Sequence, residues 1–207
     1  MVLMINHRML GQAPSSLTEL YSQHPFLLRD AEALAKKKPK RVEPKGVLYV
    51  RQKQWGVTHR GDTLEDNCEV LGCGTEDILT CHVIVLREPQ TGVAAIGHFD
   101  NFCRMKDFVS LMNCFLERVR QRKRADDWSY WEEGEDDWEW EEESDTEDAE
   151  NDVELDPAHV YDLHIVGGYA DDSGMGAKIS KRFFQHLNKL PIRLELQSCC
   201  LGQPNTK

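Results

Sequence analysis

No run of eighteen apolar residues occurs in this chain, so no membrane-spanning helix is expected. The opening residues, MVLMINHRML, are too short and too polar a stretch for a secretory signal. Cysteines number seven, an odd count at irregular spacings, and no Cys-x-x-Cys pair exists. That excludes a disulfide framework and points to a reducing compartment, cytoplasmic and also nuclear. Gly72-x-Gly74 lacks the third glycine and the following helix of a dinucleotide fingerprint, so no nucleotide cofactor is expected. Lys and Arg are absent from residues 126–156, which hold eighteen of the thirty-six acidic residues. Taking those eighteen charges out of the net −11 leaves +7, so a mildly basic domain carries one concentrated acidic segment.

What is present suits a single domain over 1–207, long enough to bury a core. Ser16 and Glu19 stand at capping-box spacing before Leu17, Leu20 and Tyr21, and predict a first helix that ends at His24-Pro25. Leu27, Leu28, Ala31 and Leu34 predict a second, over Phe26–Ala35. The basic run Lys36-Lys37-Lys38-Pro39-Lys40-Arg41 fits either a nuclear-import signal or a solvated helix end. Strands are expected at Gly46–Val50, Gln54–Thr58, Glu69–Gly72 and His159–Val166, the last broken by Gly167-Gly168. A long helix is expected from Arg104 to Arg124, with Phe108, Leu111, Met112, Phe115 and Val119 on one face. Residues 125–157 contain four of the five tryptophans among the acidic residues and are expected to be a disordered insertion, with a basic partner as one use for it. A helix over Ile179–Leu190, a strand over Ile192–Leu196 and a tail from Gly202 complete the chain.

The chemistry concentrates in Thr75–Asp100. His82–Leu86 and Val93–Ile96 read as two apolar strands about the turn Glu88-Pro89-Gln90-Thr91-Gly92. Cys81 and His98 are seventeen residues apart with their midpoint inside that turn. A symmetric hairpin would set them directly opposite, with Cβ atoms roughly 4.5–5.5 Å apart. A cysteine opening an apolar strand also fits simple packing. Beside an imidazole, however, the thiol gains a proton acceptor and becomes a nucleophile. Thr75, six residues earlier, could fix the tautomer of that imidazole as a third member.

Gly46-Val47-Leu48-Tyr49-Val50, the strand Thr80-Cys81-His82-Val83-Ile84-Val85-Leu86-Arg87 and Val166-Gly167-Gly168-Tyr169-Ala170-Asp171-Asp172 resemble the protein N-terminal asparagine amidohydrolase family. The Cys81-to-His98 spacing is also similar to that of the bacterial chemotaxis-receptor glutamine deamidases. The resemblance implies an α+β, deamidase-like fold of stacked β-sheets flanked by helices, C-terminally short relative to the family, whose members continue past residue 207. It implies a cofactor-free hydrolase that converts an N-terminal asparagine of proteins or peptides to aspartate, feeding the N-degron pathway. Cys81 would be the nucleophile, His98 the general base and acid, and Thr75 the orienting group. Asp100, Asp171 and Asp172 are candidates for holding the substrate α-ammonium. A monomer without nucleic-acid or membrane partners is expected. Two other readings are open. Cys68, Cys73, Cys81, His82, His98 and Cys103 could supply a zinc module, and residues 126–156 could make the chain an acidic, chaperone-like binder of basic proteins.

Overall fold

The structure is a computed structural model. It describes residues 3–38, 43–64, 67–78, 80–100, 105–129, 156, 158–169, 172 and 174–202. Part of the basic run, most of the acidic segment, Cys103, Asp171 and the end of the chain from 203 lie outside them.

The elements in chain order are β1 (Leu3–Ile5), β2 (Arg8–Met9), α1 (Leu17–Gln23), α2 (Pro25–Ala35), β3 (Val47–Tyr49), β4 (Trp55–Thr58), β5 (Gly72–Gly74), β6 (His82–Arg87), β7 (Ala94–Phe99), α3 (Met105–Ser129), β8 (Val160–Tyr169), α4 (Met175–Leu187) and β9 (Arg193–Gly202). Seven strands form one mixed sheet in the order β2-β1-β9-β8-β6-β7-β4, and β3 pairs β5 in a second, two-stranded sheet. The fold is α+β, as the family resemblance implies.

One face of the large sheet carries Ile84, Leu86, Ala95, Phe99, Leu163 and Ile165, which form a single core with residues of all four helices. The predicted face of α3 supplies Phe108, Leu111, Met112, Phe115 and Val119, each at most 2% exposed. Side chains of this size stabilise by about 1.5–3 kcal/mol each when fully buried. The opposite face carries Val83 and Ile96, which cluster with Val50 and have Cys73, Ile78 and Val85 packed around them. Alternation along β6 and β7 therefore divides neighbouring residues between a helix-covered face and one covered from the β3–β5 side.

Local chemistry explains the ends of the helices. Ser16 accepts from Glu19 N at 3.1 Å and caps α1, while Pro25 takes the first turn of α2, where its missing N–H costs nothing. The predicted helix from Arg104 to Arg124 runs on to Ser129. No glycine or proline interrupts the sequence before Gly134, so nothing local stops it.

Four other expectations change. The N-terminal residues form β1, which pairs in parallel with β9 across most of the chain, a contact that no local pattern announces. The short strand expected at Glu69–Gly72 lies instead at 72–74, where it runs parallel to β3. β8 continues through Gly167-Gly168 to Tyr169, and β9 extends to Gly202 beside it. These glycines adopt φ 126° and 57°, and Gly168 N donates to Cys81 O at 2.8 Å. A Cβ on Gly167 would lie 2.1 Å from that same carbonyl oxygen. The pair is a close crossing of backbones, for which glycine is required.

The hairpin register also differs. His82 faces Phe99 and Val83 faces His98, so Cys81 and His98 are diagonal neighbours and not directly opposite. The tip is built by Glu88 N donating to Val93 O and by Gly92 N donating to Glu88 O, and its centre falls between Gln90 and Thr91. Moving the centre by one residue moves the register by two. Side chains alternate with period two, so the thiol and the imidazole keep to the same face, with diagonal Cβ atoms somewhat under 7–8 Å apart.

Candidate active site

Cys81 enters β6 on the face opposite the helices. It is 7% exposed. Burial pushes its thiol above the ordinary value, the Asp100 carboxylate adds to the rise, and the Lys53 ammonium opposes it. His98, on β7, is 1% exposed. Its backbone is fixed to the turn before β4, donating to Gln54 O at 3.0 Å and accepting from Lys53 N at 2.8 Å. Its Nδ1 lies 2.7 Å from Thr75 Oγ1, just beyond β5. Its Nε2 is buried and has no hydrogen-bond partner among the described residues. Burial lowers the imidazole's affinity for a proton, with Asp100 and Asp77 working the other way.

Burial pushes the thiol up and the imidazole down, and both shifts favour the neutral forms over a thiolate–imidazolium pair. With Nδ1–H donating to the Thr75 hydroxyl, the lone pair of Nε2 stays available to take a proton. His82 Nδ1 and both nitrogens of His186 also lack a partner among the described residues, so what suits His98 Nε2 to proton transfer is its place on the face that bears Cys81.

Asp100 adjoins this group. It is 8% exposed, and its Oδ2 accepts from Gln52 Nε2 at 3.2 Å and pairs with Lys53 Nζ at 3.3 Å. It also lines a cleft of about 310 Å³ between α3 and α4, with Phe108, Met175, Lys178, Arg182 and His186 among the walls. Of the other acidic candidates, Asp172 is exposed in the turn before α4, and Asp171 lies outside the described residues. A larger groove of about 1030 Å³ runs between the first two helices and α4, past Gly168 and Tyr169, and reaches neither Cys81 nor His98.

The ligand set of a zinc module is not gathered. β6 alternation points His82 to the helix side, away from Cys81, where its Nε2 is 2.8 Å from Ser180 Oγ and its ring stacks on Phe183. Among the described residues no group of three or more His, Cys, Asp or Glu could hold a metal ion. Nor, among them, is any helix long and apolar enough to cross a membrane.

Of the three residues reached from the sequence, the structure brings Thr75 and His98 into contact and sets Cys81 on the same face as His98. Sequence reasoning missed Lys53 and Gln52, which reach Asp100 only because β4 pairs with β7. It also missed that Gly167-Gly168 clamps the Cys81 carbonyl. The one available signal was the double glycine itself.

A cysteine, an imidazole tethered at one nitrogen and a hydroxyl behind it are the groups that thiol-based acyl transfer uses, here set on an α+β sheet. The chain belongs to the protein N-terminal asparagine amidohydrolase family, whose model matches residues 37–127 and 146–207. It is similar to the curated protein N-terminal asparagine amidohydrolases of Mus musculus, 24% identical over 194 residues, and Homo sapiens, 23% identical over 197. Each alignment covers 94% of this chain and 50% of the relative, so the chain spans about half the length of the curated relatives it matches.

Proposed function

We propose that this chain is a cysteine-dependent amidohydrolase acting on the side-chain amide of an N-terminal asparagine. The observation that carries the reading is the Thr75–His98 contact, which leaves His98 Nε2, on the face that bears Cys81, without a partner among the described residues. Cys81 attacks the amide carbon as His98 Nε2 takes the thiol proton. The S–C bond forms and the carbonyl electron pair moves onto oxygen. Collapse breaks the C–N bond, and His98 returns its proton to the departing nitrogen, which leaves as ammonia. Water, deprotonated by His98, then cleaves the thioester and releases a chain that begins with aspartate. Such a product is the substrate of the arginine-conjugating branch of the N-degron pathway. Asp100, buried beside Cys81, holds the substrate α-ammonium.

We further infer that the chain is one domain with the acidic segment inserted in it. Supporting this, the family model's match stops at residue 127 and resumes at 146.

The test is ammonia release from peptides that begin with Asn or Gln or carry an internal Asn, for the unsubstituted protein and Cys81→Ser. Release from N-terminal Asn alone, abolished by the substitution, is expected. Equal release by Cys81→Ser would end the thiol mechanism.

A further inference from the structure

The turn before β4 holds a strained residue in direct contact with the proposed site. Gln54 N donates to Arg51 O at 3.0 Å to close the turn, and Lys53 adopts φ 67°, a conformation ordinarily left to glycine. Lys53 N donates to His98 O, so this residue is tied to the strand of the imidazole. Its side chain is 63% exposed, yet its ammonium lies 3.3 Å from Oδ2 of Asp100, which is buried. Gln52 donates to the same oxygen. Strain kept at a site is a reason to look for a function in the residue that bears it.

We infer that Lys53 is a resident stand-in for the α-ammonium of the substrate: it occupies Asp100 in the free protein and yields that carboxylate to an incoming peptide N-terminus. The inference rests on the reading of Cys81 as the nucleophile for N-terminal asparagine. Three observations converge on it. The chemistry of the two ligands is the same, since a lysine ammonium and an α-ammonium each present N–H donors and one positive charge. The placement fits, because continuing the β6–β7 register past His82–Phe99 sets Asp100 across from Cys81. In asparagine the α-nitrogen is only two carbons removed from the side-chain amide carbon, so the anion that binds the first must adjoin the nucleophile that attacks the second. The exchange is also mobile on one side only. The long stem of Lys53 can withdraw its charge into water, whereas Asp100 is buried with a thiol as neighbour.

Lys53 is then a specificity-determining residue. The lysine supplies the buried carboxylate with a charged partner until substrate arrives. An internal asparagine, having no ammonium, does not displace Lys53. A free N-terminus does, replacing the Lys53–Asp100 ion pair with one of its own.

The experiment separates this from a purely structural role. In the full chain carrying Cys81→Ala, which binds without turnover, calorimetry compares an Asn-initiated peptide with its N-acetylated form. Lys53→Met and Lys53→Gly should each bind the free-amine peptide about two- to fivefold more tightly, the range of an exposed ion pair. Lys53→Gly also suits the turn's backbone, so a folding defect cannot produce the result. Lys53→Arg should bind like the parent, and acetylation should weaken binding throughout. Unchanged or weaker binding by both Lys53→Met and Lys53→Gly, with the parent still selecting the free amine, overturns the stand-in role and leaves the amidohydrolase reading intact. No binding by any variant, together with no ammonia release by the protein with Cys81 in place, overturns both.

Discussion

His82 and His98 sit on adjacent strands of one hairpin and are equally hidden from solvent, at 0% and 1% exposure. Burial does not tell them apart; the face of the sheet each occupies does. Ser180 donates its hydroxyl hydrogen to Gly176 O at 2.9 Å, so its oxygen accepts from His82 Nε2–H. The ring of His82 stacks on Phe183 on the helix side, its Nδ1 has no hydrogen-bond partner among the described residues, and burial pushes its pKa down to about 4. His98 has one nitrogen committed to Thr75 and the other uncommitted beside a thiol-bearing strand. The lesson is that an unpartnered nitrogen alone does not mark chemistry, since His82 has one too; His98 is singled out because its free nitrogen belongs to the face that bears Cys81.

The largest test of that contrast exchanges the two roles. His98→Gln should lower ammonia release by about 10²–10⁴-fold, the usual worth of a general acid–base group, with little change in the denaturation midpoint. His82→Gln should do the reverse, lowering stability while keeping activity per folded molecule within a few-fold. Activity assays paired with urea titrations would expose a reversed assignment. Gly167→Ala strikes the backbone that both histidine strands depend on. A Cβ 2.1 Å from the Cys81 carbonyl, at φ 126°, should destabilise by about 3–4 kcal/mol, read as a drop in urea midpoint.

Acid titration of stability comes next. Between the ordinary histidine value of 6.5 and about 4, the unfolded chain binds a proton at residue 82 that the folded protein refuses. Stability from this group is therefore complete above pH 6.5 and falls as pH drops toward 4, by on the order of 3 kcal/mol. His98 shifts in the same direction and adds to the loss. His82→Phe should flatten the acid limb measured by urea unfolding at successive pH values; an unaltered limb would mean that other groups govern it. Thr75→Val should cost about tenfold in kcat, because the imidazole loses the partner that sets its tautomer, and Thr75→Ser should recover most of it. The smallest effect is expected from deleting residues 128–145, which should leave turnover of Asn-initiated peptides unchanged. Loss of turnover would make the acidic segment part of the working site.

Much of the site was legible because it is local. Cys81, His98 and the turn between them lie within one hairpin, and Thr75 is six residues upstream, so short-range pairing brings them together. The helices were legible from caps and periodicity, and Ser16 caps α1 as its spacing predicts. What escaped was set by distant contacts. β1 finds β9 across the whole chain, β8 is carried through two glycines by its neighbours, and Lys53 reaches Asp100 through the β4–β7 pairing. In each case tertiary pairing overrides a local preference that would have ended or omitted the element.

The hairpin register has a consequence for how this site tolerates change. The thiol and the imidazole share a face because the sum of their positions is odd, as is that of every facing pair in the ladder. Residues added at the tip, between Glu88 and Val93, would leave the ladder untouched, and a slip of two positions would preserve the face. Removing a single residue from β7 between Ala94 and Gly97 would instead turn the imidazole toward Phe183 and the helices. The site is thus protected against loop growth and even slips, and exposed to one odd deletion that composition and hydropathy would scarcely register.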